Sequence, residues 1–220
     1  MLIHPDFSRP ALVRAEDRQW VSSPQPGVVR VMLDRLGEEK ARATSLVRYA
    51  PCSVFPAHGH PGGEEILVLS GTFTDDSGDH GAGWYLRNPP GSSHQPSSAE
   101  GALIFVKLWQ MAPDDQHTVR IDTRDPAAWR HDESGAVCPL FDSESEQVCL
   151  RRYPDGAAVK LDMHGGAELL VTQGTLWAAG ERLLRGGWLR WPPNVPCELS
   201  AGEGGVTIYL KTGHLSALTV

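Results

Sequence analysis

The chain repeats one plan, and that repeat restricts its fold more than any other feature. In the first half RYAP leads to HGHPGGEEILVLSGTF and then to GWYLRNPPGSSHQP. In the second half RRYPD leads to DMHGGAELLVTQGTLW and then to GGWLRWPPNVPCEL. Gly71 and Gly174 correspond at an offset of 103, and the Pro-Pro pairs at 89–90 and 192–193 keep the same offset. Two separate blocks agreeing in register mark a duplication. The polar stretch MAPDDQHTVRIDTRDPAAW, residues 111–129, holds the join. The expected domains are therefore 1–118 and 119–220, two small units in a chain of 220 residues.

Each copy reads as short strands. TSLVRY, EILVLS and LIFVKLW are rich in β-branched or apolar residues and bounded by Gly, Pro, Ser or Asp. With 23 glycines and 17 prolines and no low-complexity run, the chain has the turn density of an all-β sandwich or barrel. RPALVRAEDRQW near the N-terminus is the one segment that reads as a short helix. The PPG and PPN corners use proline to preset a turn and Gly91 or Asn194 to take a positive φ.

Residues i and i+2 of a strand share a face, so His58 and His60 project together. Pro61-Gly62-Gly63 reverses the chain, and Glu64 opens the next strand beside them. Glu64, Ile66 and Val68 then share one face, which places a carboxylate on an otherwise apolar surface, while Glu65 faces away. A buried carboxylate costs several kcal/mol unless it is paired or bound to a cation. His94, straight after the Pro-Pro-Gly corner, supplies a further imidazole. Three imidazoles and one carboxylate suit zinc, manganese, iron, nickel or copper rather than calcium or magnesium. Read through its DxHxxxE pattern, the second copy offers Asp162, His164, Glu168 and Cys197. That set can bind zinc in principle but is an awkward mixture for a redox metal; the alternative is a barrel that lost its metal and kept its shape.

The first half resembles the cupin family. Its motif HxHxxxE followed by glycine is matched by His58, His60, Glu64 and Gly71, and its second motif by Gly83, Pro89, Gly91 and His94. Ser98 stands where that family often has asparagine. The run GGEEILVLSGTFTDDSGDH with YLRNPPGSSHQPSS and LIFVKLWQ is similar to the cupin domain of ChrR-type anti-sigma factors. The resemblance implies double-stranded β-helix barrels in two tandem copies (a bicupin), with zinc held by His58, His60, Glu64 and His94. ChrR also carries a helical zinc domain with an HxxxCxxC signature that holds the sigma factor. This chain has no CxxC, so sigma-factor binding is not expected.

The formal charge of −7 leaves no basic stripe for phosphates, so a direct nucleic-acid binder is not expected. The N-terminal MLIHPDFSRPALVRAEDRQW lacks an apolar leader, and no run reaches membrane-spanning length, so the expected location is the cytoplasm, away from membranes. Cys52, Cys138, Cys149 and Cys197 read as free thiols, with a Cys138–Cys149 disulfide possible only across a hairpin. The acidic stretch DDSGDHG, residues 75–81, reads as a solvated hairpin tip. Trp84, Trp177, Trp188 and Trp191 read as core or rim packing, and His4, His80, His117, His131 and His214 as surface or satisfied residues. The leading functional expectation is a sensor or regulatory module for a small molecule or oxidative stress, in a monomer or homodimer. The rival is a metal-dependent oxygenase or isomerase acting on a small organic acid or diketone. A storage-like structural bicupin is a third reading. No Ser-His or Cys-His nucleophile pair and no phosphate-binding glycine loop is legible.

Overall fold

The computed structural model describes residues 1–38 and 40–216. Among these the chain forms strands, turns and a single 3₁₀ turn at Pro126–Ala128. No helix is long and apolar enough to cross a membrane. The chain divides into two compact units: Met1–Pro5 with Gln19–Arg124, and Asp6–Arg18 with the chain from Asp125 onward.

In the first unit the central sheet runs Leu2–Ile3, Val28–Leu36, Arg42–Tyr49, Ala102–Leu108, Glu64–Asp75, Trp84–Asn88 and Val119–Asp122. A two-stranded ribbon, Ser92–His94 against His58–His60, stands beside it. The second unit repeats this order as Arg130–Asp132, Gly135–Asp142, Gln147–Tyr153, Leu199–Thr212, Ala167–Ala178, Trp188–Trp191 and Ala11–Val13. Inward side chains form one apolar core per unit: Val28, Tyr49, Ile66, Val68, Phe73 and Ile104 in the first, and Leu169, Val171, Leu176, Leu189, Ile208 and Leu210 in the second. Such alternation of buried and open positions is what a β-barrel demands of each strand.

The segment expected to be helical is extended instead. Ala11–Val13 pairs antiparallel with Trp188–Trp191, Leu12 opposite Leu189. Its apolar residues come as one contiguous triplet rather than at helical spacing, and the chain then turns, with Asp17 N donating to Arg14 O at 3.2 Å. The partner strand's open edge gives those backbone groups their hydrogen bonds, which a lone helix of this length does not outweigh.

The repeated glycines have a steric origin. Gly71 and Gly174 have φ of +71° and +77°. A Cβ there would fall 1.9 Å from Gly101 O and 2.1 Å from Gly205 O, respectively. Glycine is thus required twice over at both positions. At the corners Gly91 and Asn194 take the same kind of backbone, with φ of 85° and 58°.

Each barrel carries a buried ladder of charge across three strands. Glu65 lies opposite Lys107 on one side and Arg87 on the other. In the second barrel Glu168 lies opposite Lys211 and Arg190. All six side chains are buried. Arg87 Nη1 stands 3.6 Å from Glu65 and Nη2 2.6 Å from Asp115; Lys211 meets Glu146 at 2.7 Å. Removing one member of such a set leaves its partner charged and unsolvated. Glu65→Ala and Glu168→Ala are each expected to destabilise the chain by about 3–5 kcal/mol, measured by chemical denaturation. A loss below about 1 kcal/mol would show that the ladders do not hold the barrels.

Candidate metal centre

The centre is assembled by strand pairing. In the ribbon His58 lies directly opposite His94 and His60 opposite Ser92, so the three imidazoles converge. The Pro61-Gly62-Gly63 turn, closed by Gly63 N donating to His60 O at 3.0 Å, delivers Glu64 to the same place. One ligand atom from each of His58, His60 and His94 lies within 4.8 Å of the others. Among the described residues this is the one group of three or more His, Cys, Asp or Glu side chains so gathered. It can hold a divalent metal.

The spacing of the donor atoms fits a cation. His60 Nε2 and His94 Nε2 are 3.0 Å apart. Glu64 Oε2 is 3.4 Å from the former and 3.5 Å from the latter. A metal with bonds of about 2.1 Å has donor–donor edges of about 3.0–3.4 Å, depending on its geometry. The outer nitrogens are engaged elsewhere. His58 Nδ1 donates to the Pro56 carbonyl at 2.8 Å, which leaves Nε2 as the free lone pair of the neutral ring. His94 Nδ1 faces Asp75 Oδ2 at 3.4 Å, the carboxylate–histidine arrangement that orients a ligand ring and raises its basicity.

Charge in the site follows from burial. Enclosure pushes the Glu64 carboxyl up, against the pull of the His94 charge and a 3.1 Å hydrogen bond from Asn88 Nδ2. Burial, then the charges of His94 and His58, lower His60 to about 3. Burial also lowers His58. His94 goes the other way: burial opposes its charge, but the Asp75 hydrogen bond and the Glu64 charge outweigh it and raise the imidazole. Asp75 is enclosed too, yet hydrogen bonds from His94, Ser77 and His80 hold it well below the ordinary carboxylate range. A buried carboxyl that prefers its proton, beside the two imidazoles of His58 and His60 that resist one, is an arrangement in which a cation can replace that proton.

Several of these supports are not legible as such in the sequence. Asp75 and His80, which read there as part of a solvated tip, are 8% and 4% exposed. The hairpin is real, with Phe73 opposite His80 and Asp75 opposite Gly78; its tip from Asp76 to Asp79 faces solvent. His80 Nε2 meets Asp75 Oδ1 at 3.2 Å and the ring lies edge-on to Trp84. Asn88, besides donating to Glu64, accepts from Arg120 Nη2 at 2.7 Å. A small polar cavity of about 230 Å³ lies on this side, reached by His60, His94, Asp75, Asn88 and Arg120. On another side His58, His60 and Glu64 line a larger cavity of about 300 Å³, walled by Tyr49, Phe55, Ile104 and Trp109. Ser98 is buried and donates to Thr72 O at 2.6 Å.

The second barrel does not bring Asp162, His164, Glu168 and Cys197 together. Asp162 and His164 are exposed, joined by a local turn in which His164 N donates to Asp162. Glu168 is fully buried, accepting from Trp188 Nε1 at 2.8 Å and standing 3.3 Å from His214 Nε2. The reason is register. Gly63 N and Gly91 N both donate to His60 O, and their counterparts Gly166 N and Asn194 N both donate to Met163 O. The offset of 103 therefore holds through the turn, and the DxHxxxE match is displaced by one residue. Leu161, Met163 and Ala167 occupy the places of His58, His60 and Glu64, Cys197 that of His94, and Glu168 that of Glu65. Leu161, Met163 and Cys197 pack on the apolar core, where burial pushes the Cys197 thiol up to about 11.

Cys138 lies opposite Leu150 and Cys149 opposite Pro139, so the hairpin sets these two thiols on opposite faces, and all four cysteines are free. Trp188 is core, whereas Trp177 is largely exposed.

The chain thus has two cupin-like β-barrels, one with a histidine-lined interior and one with an apolar interior. Residues 8–112 match the ChrR cupin-like domain, and the first domain resembles the cupin domain of ChrR. Solved structures share the two-barrel architecture. A candidate glyoxylate-induced protein from Pseudomonas aeruginosa is 14% identical with TM-score 0.74, over 96% of this chain and 91% of its own. A candidate dioxygenase from Nostoc punctiforme is 13% identical with TM-score 0.73, over 96% and 85%. The bacterial pirin YhhW from Escherichia coli, solved with nickel(II), is 13% identical with TM-score 0.68, over 93% and 98%. No curated protein matches the chain.

Asp75→Asn is expected to weaken metal affinity by about 10–100-fold with little change in melting temperature, read by chelator competition. Unchanged affinity would show that Asp75 does not act on His94.

Proposed function

We propose that the first barrel holds one divalent transition metal through His58, His60, Glu64 and His94, and that the loaded centre serves as a sensing or regulatory module for a small molecule. The observation that carries this reading is the convergence of three imidazoles, with the Glu64 carboxylate 3.4 Å and 3.5 Å from two of them, on one spot that also borders a 300 Å³ cavity. Zinc suits the donor set best, since a mix of imidazole and carboxylate imposes no redox requirement. Bound there, the metal supplies a Lewis-acidic position at the cavity wall. The chain's own residues do the rest. Asp75 and the Pro56 carbonyl fix the two outer imidazoles, Asn88 and Arg120 steady Glu64, and the apolar wall excludes water. The second barrel, its inner positions apolar, then serves as scaffold.

A second reading is favoured by the same cavity. Access from a substrate-sized space to the donor atoms also suits an oxygenase or isomerase acting on a small organic acid or diketone, with Glu64 able to take a proton from substrate. The candidate dioxygenase and the nickel-bound pirin among the structural neighbours support interest in this reading, at a level of likeness that speaks to fold alone.

Metal analysis of protein purified without chelator separates the two. About one zinc per chain, lost in His94→Ala, is the expected result. Iron, manganese or nickel accompanied by oxygen uptake on a diketone would favour the enzyme, and no metal with the fold intact would overturn both. Retention should also depend on pH in one direction. Asp75 and Glu64 raise the proton affinity of His94 against the lowering by burial, so among the imidazoles His94 is the one that competes most with metal for a proton, and metal affinity should fall as pH falls. His60, lowered to about 3, does not compete there. A metal affinity that stays constant from about pH 8 to about pH 5 would contradict this dependence.

A further inference from the structure

The cavity beside the donors contains two arginines that the metal reading does not use. Arg30 and Arg35 both line it, with Tyr49, Phe55, His58 and Glu64. Arg30 Nε is shielded from solvent and has no hydrogen-bond partner among the described residues. Arg35 Nη2 donates to the Glu38 carbonyl oxygen, which is an uncharged partner. Burial first, and then the adjacent Arg30 charge, lower Arg35. Two like charges are thus held near each other in an apolar recess, in a chain whose formal charge is −7. Bringing two guanidinium groups together, with one shielded N–H unpaired, costs free energy that the Glu38 charge offsets for Arg35 only. An anion entering the recess would supply the missing partner.

We propose that this cavity is the binding site of a small organic carboxylate, whose carboxylate is received by Arg30 and Arg35 and whose remaining body lies along the apolar wall toward His58, His60 and Glu64. The proposal rests on the reading of that centre as a ligand-responsive metal site and names the class of its ligand. Guanidinium forks match a carboxylate in a bidentate fashion. The apolar wall of Phe55, Ile104 and Trp109 suits a hydrocarbon or aromatic body. At about 300 Å³ the space suits a small ligand. The register places Arg30 opposite Val47, one strand in from the edge and on the inward face with Val28. In the second barrel the corresponding pair is Val137 opposite Arg151, and there the arginine is satisfied by Asp132 at 2.6 Å. A paired arginine beside the apolar counterpart and an unpaired one beside the donor cluster is the contrast expected if only the first cavity receives an anion.

Isothermal titration of the full chain at low ionic strength tests this, with acetate, benzoate and glutarate as probes, each against its neutral amide. The acids with an apolar body should bind about tenfold or more tightly than the amides, and Arg30→Gln and Arg35→Gln should each weaken that binding by about tenfold or more. Arg30→Lys should recover part of it, because charge returns without the fork. Acids that bind no better than amides, or that bind Arg30→Gln as well as the natural chain, overturn the proposal. Should Arg30→Gln not fold, Arg35→Gln decides the question in the same way. Metal content measured on the same samples keeps the two readings apart. Bound metal without carboxylate binding removes this proposal and spares the metal centre. Arginine-dependent carboxylate binding without metal does the reverse.

Discussion

The charge ladders Lys107–Glu65–Arg87 and Lys211–Glu168–Arg190 fix what everything else depends on, the register of the three central strands in each barrel. A buried carboxylate between two buried cations tolerates no slip, because a shift of one residue would send each charge to the opposite face without a partner. That same register decides which neighbour of Glu65 points inward. Glu64 reaches His60 and His94 because Glu65 is committed to Arg87 and Lys107 on the other face. The site is therefore a by-product of the ladder's position, and the second barrel shows the ladder persisting where the site does not.

The divergence of the two barrels follows one physical rule. A buried imidazole or carboxylate that loses its cation keeps its desolvation cost and loses its compensation. A partly kept cluster would cost more than one wholly replaced, and in the second barrel none of the four places carries an imidazole or a carboxylate. Leu161, Met163, Ala167 and Cys197 fill them, and Trp191 fills the place of Asn88 with its indole N–H donated to Val195 O at 3.0 Å. What remains is a barrel whose inner end is packed rather than wired.

Much of the first barrel was legible because its determinants are local. HxH on a strand, a three-residue turn and a glutamate define three donor positions by periodicity, His94 follows the separate Pro-Pro-Gly corner, and duplicated glycines report a backbone contact that no side chain survives. The duplicated barrel itself was legible for the same reason. The second site misled because a donor-like string, DxH, sits one residue away from the true register; only the hydrogen bonds to Met163 O reveal the frame. Asp75 and His80 were hidden for a different reason. Their neighbours in sequence are polar and their burial comes from strands distant along the chain. Ala11–Val13 was misread because three contiguous apolar residues carry no period, and its strand state is set by the edge it meets.

The shells around the donors are unequal, and that inequality sets the direction of any chemistry. On one side Asp75, Asn88 and Arg120 form a polar brace in which Asn88 both gives to Glu64 and takes from Arg120. Such groups are held by one another and have little freedom to admit a guest. On the other side the wall is apolar, interrupted by Arg30 and Arg35, and its polar groups are mutually repulsive instead of mutually bonded. A site braced from one side and unsatisfied on the other responds to a ligand from the unsatisfied side, because only there does binding relieve a cost that folding has left in place. On the proposed reading, the occupant of the 300 Å³ cavity, rather than a change in the donors, is thus the variable to which a metal held there would respond.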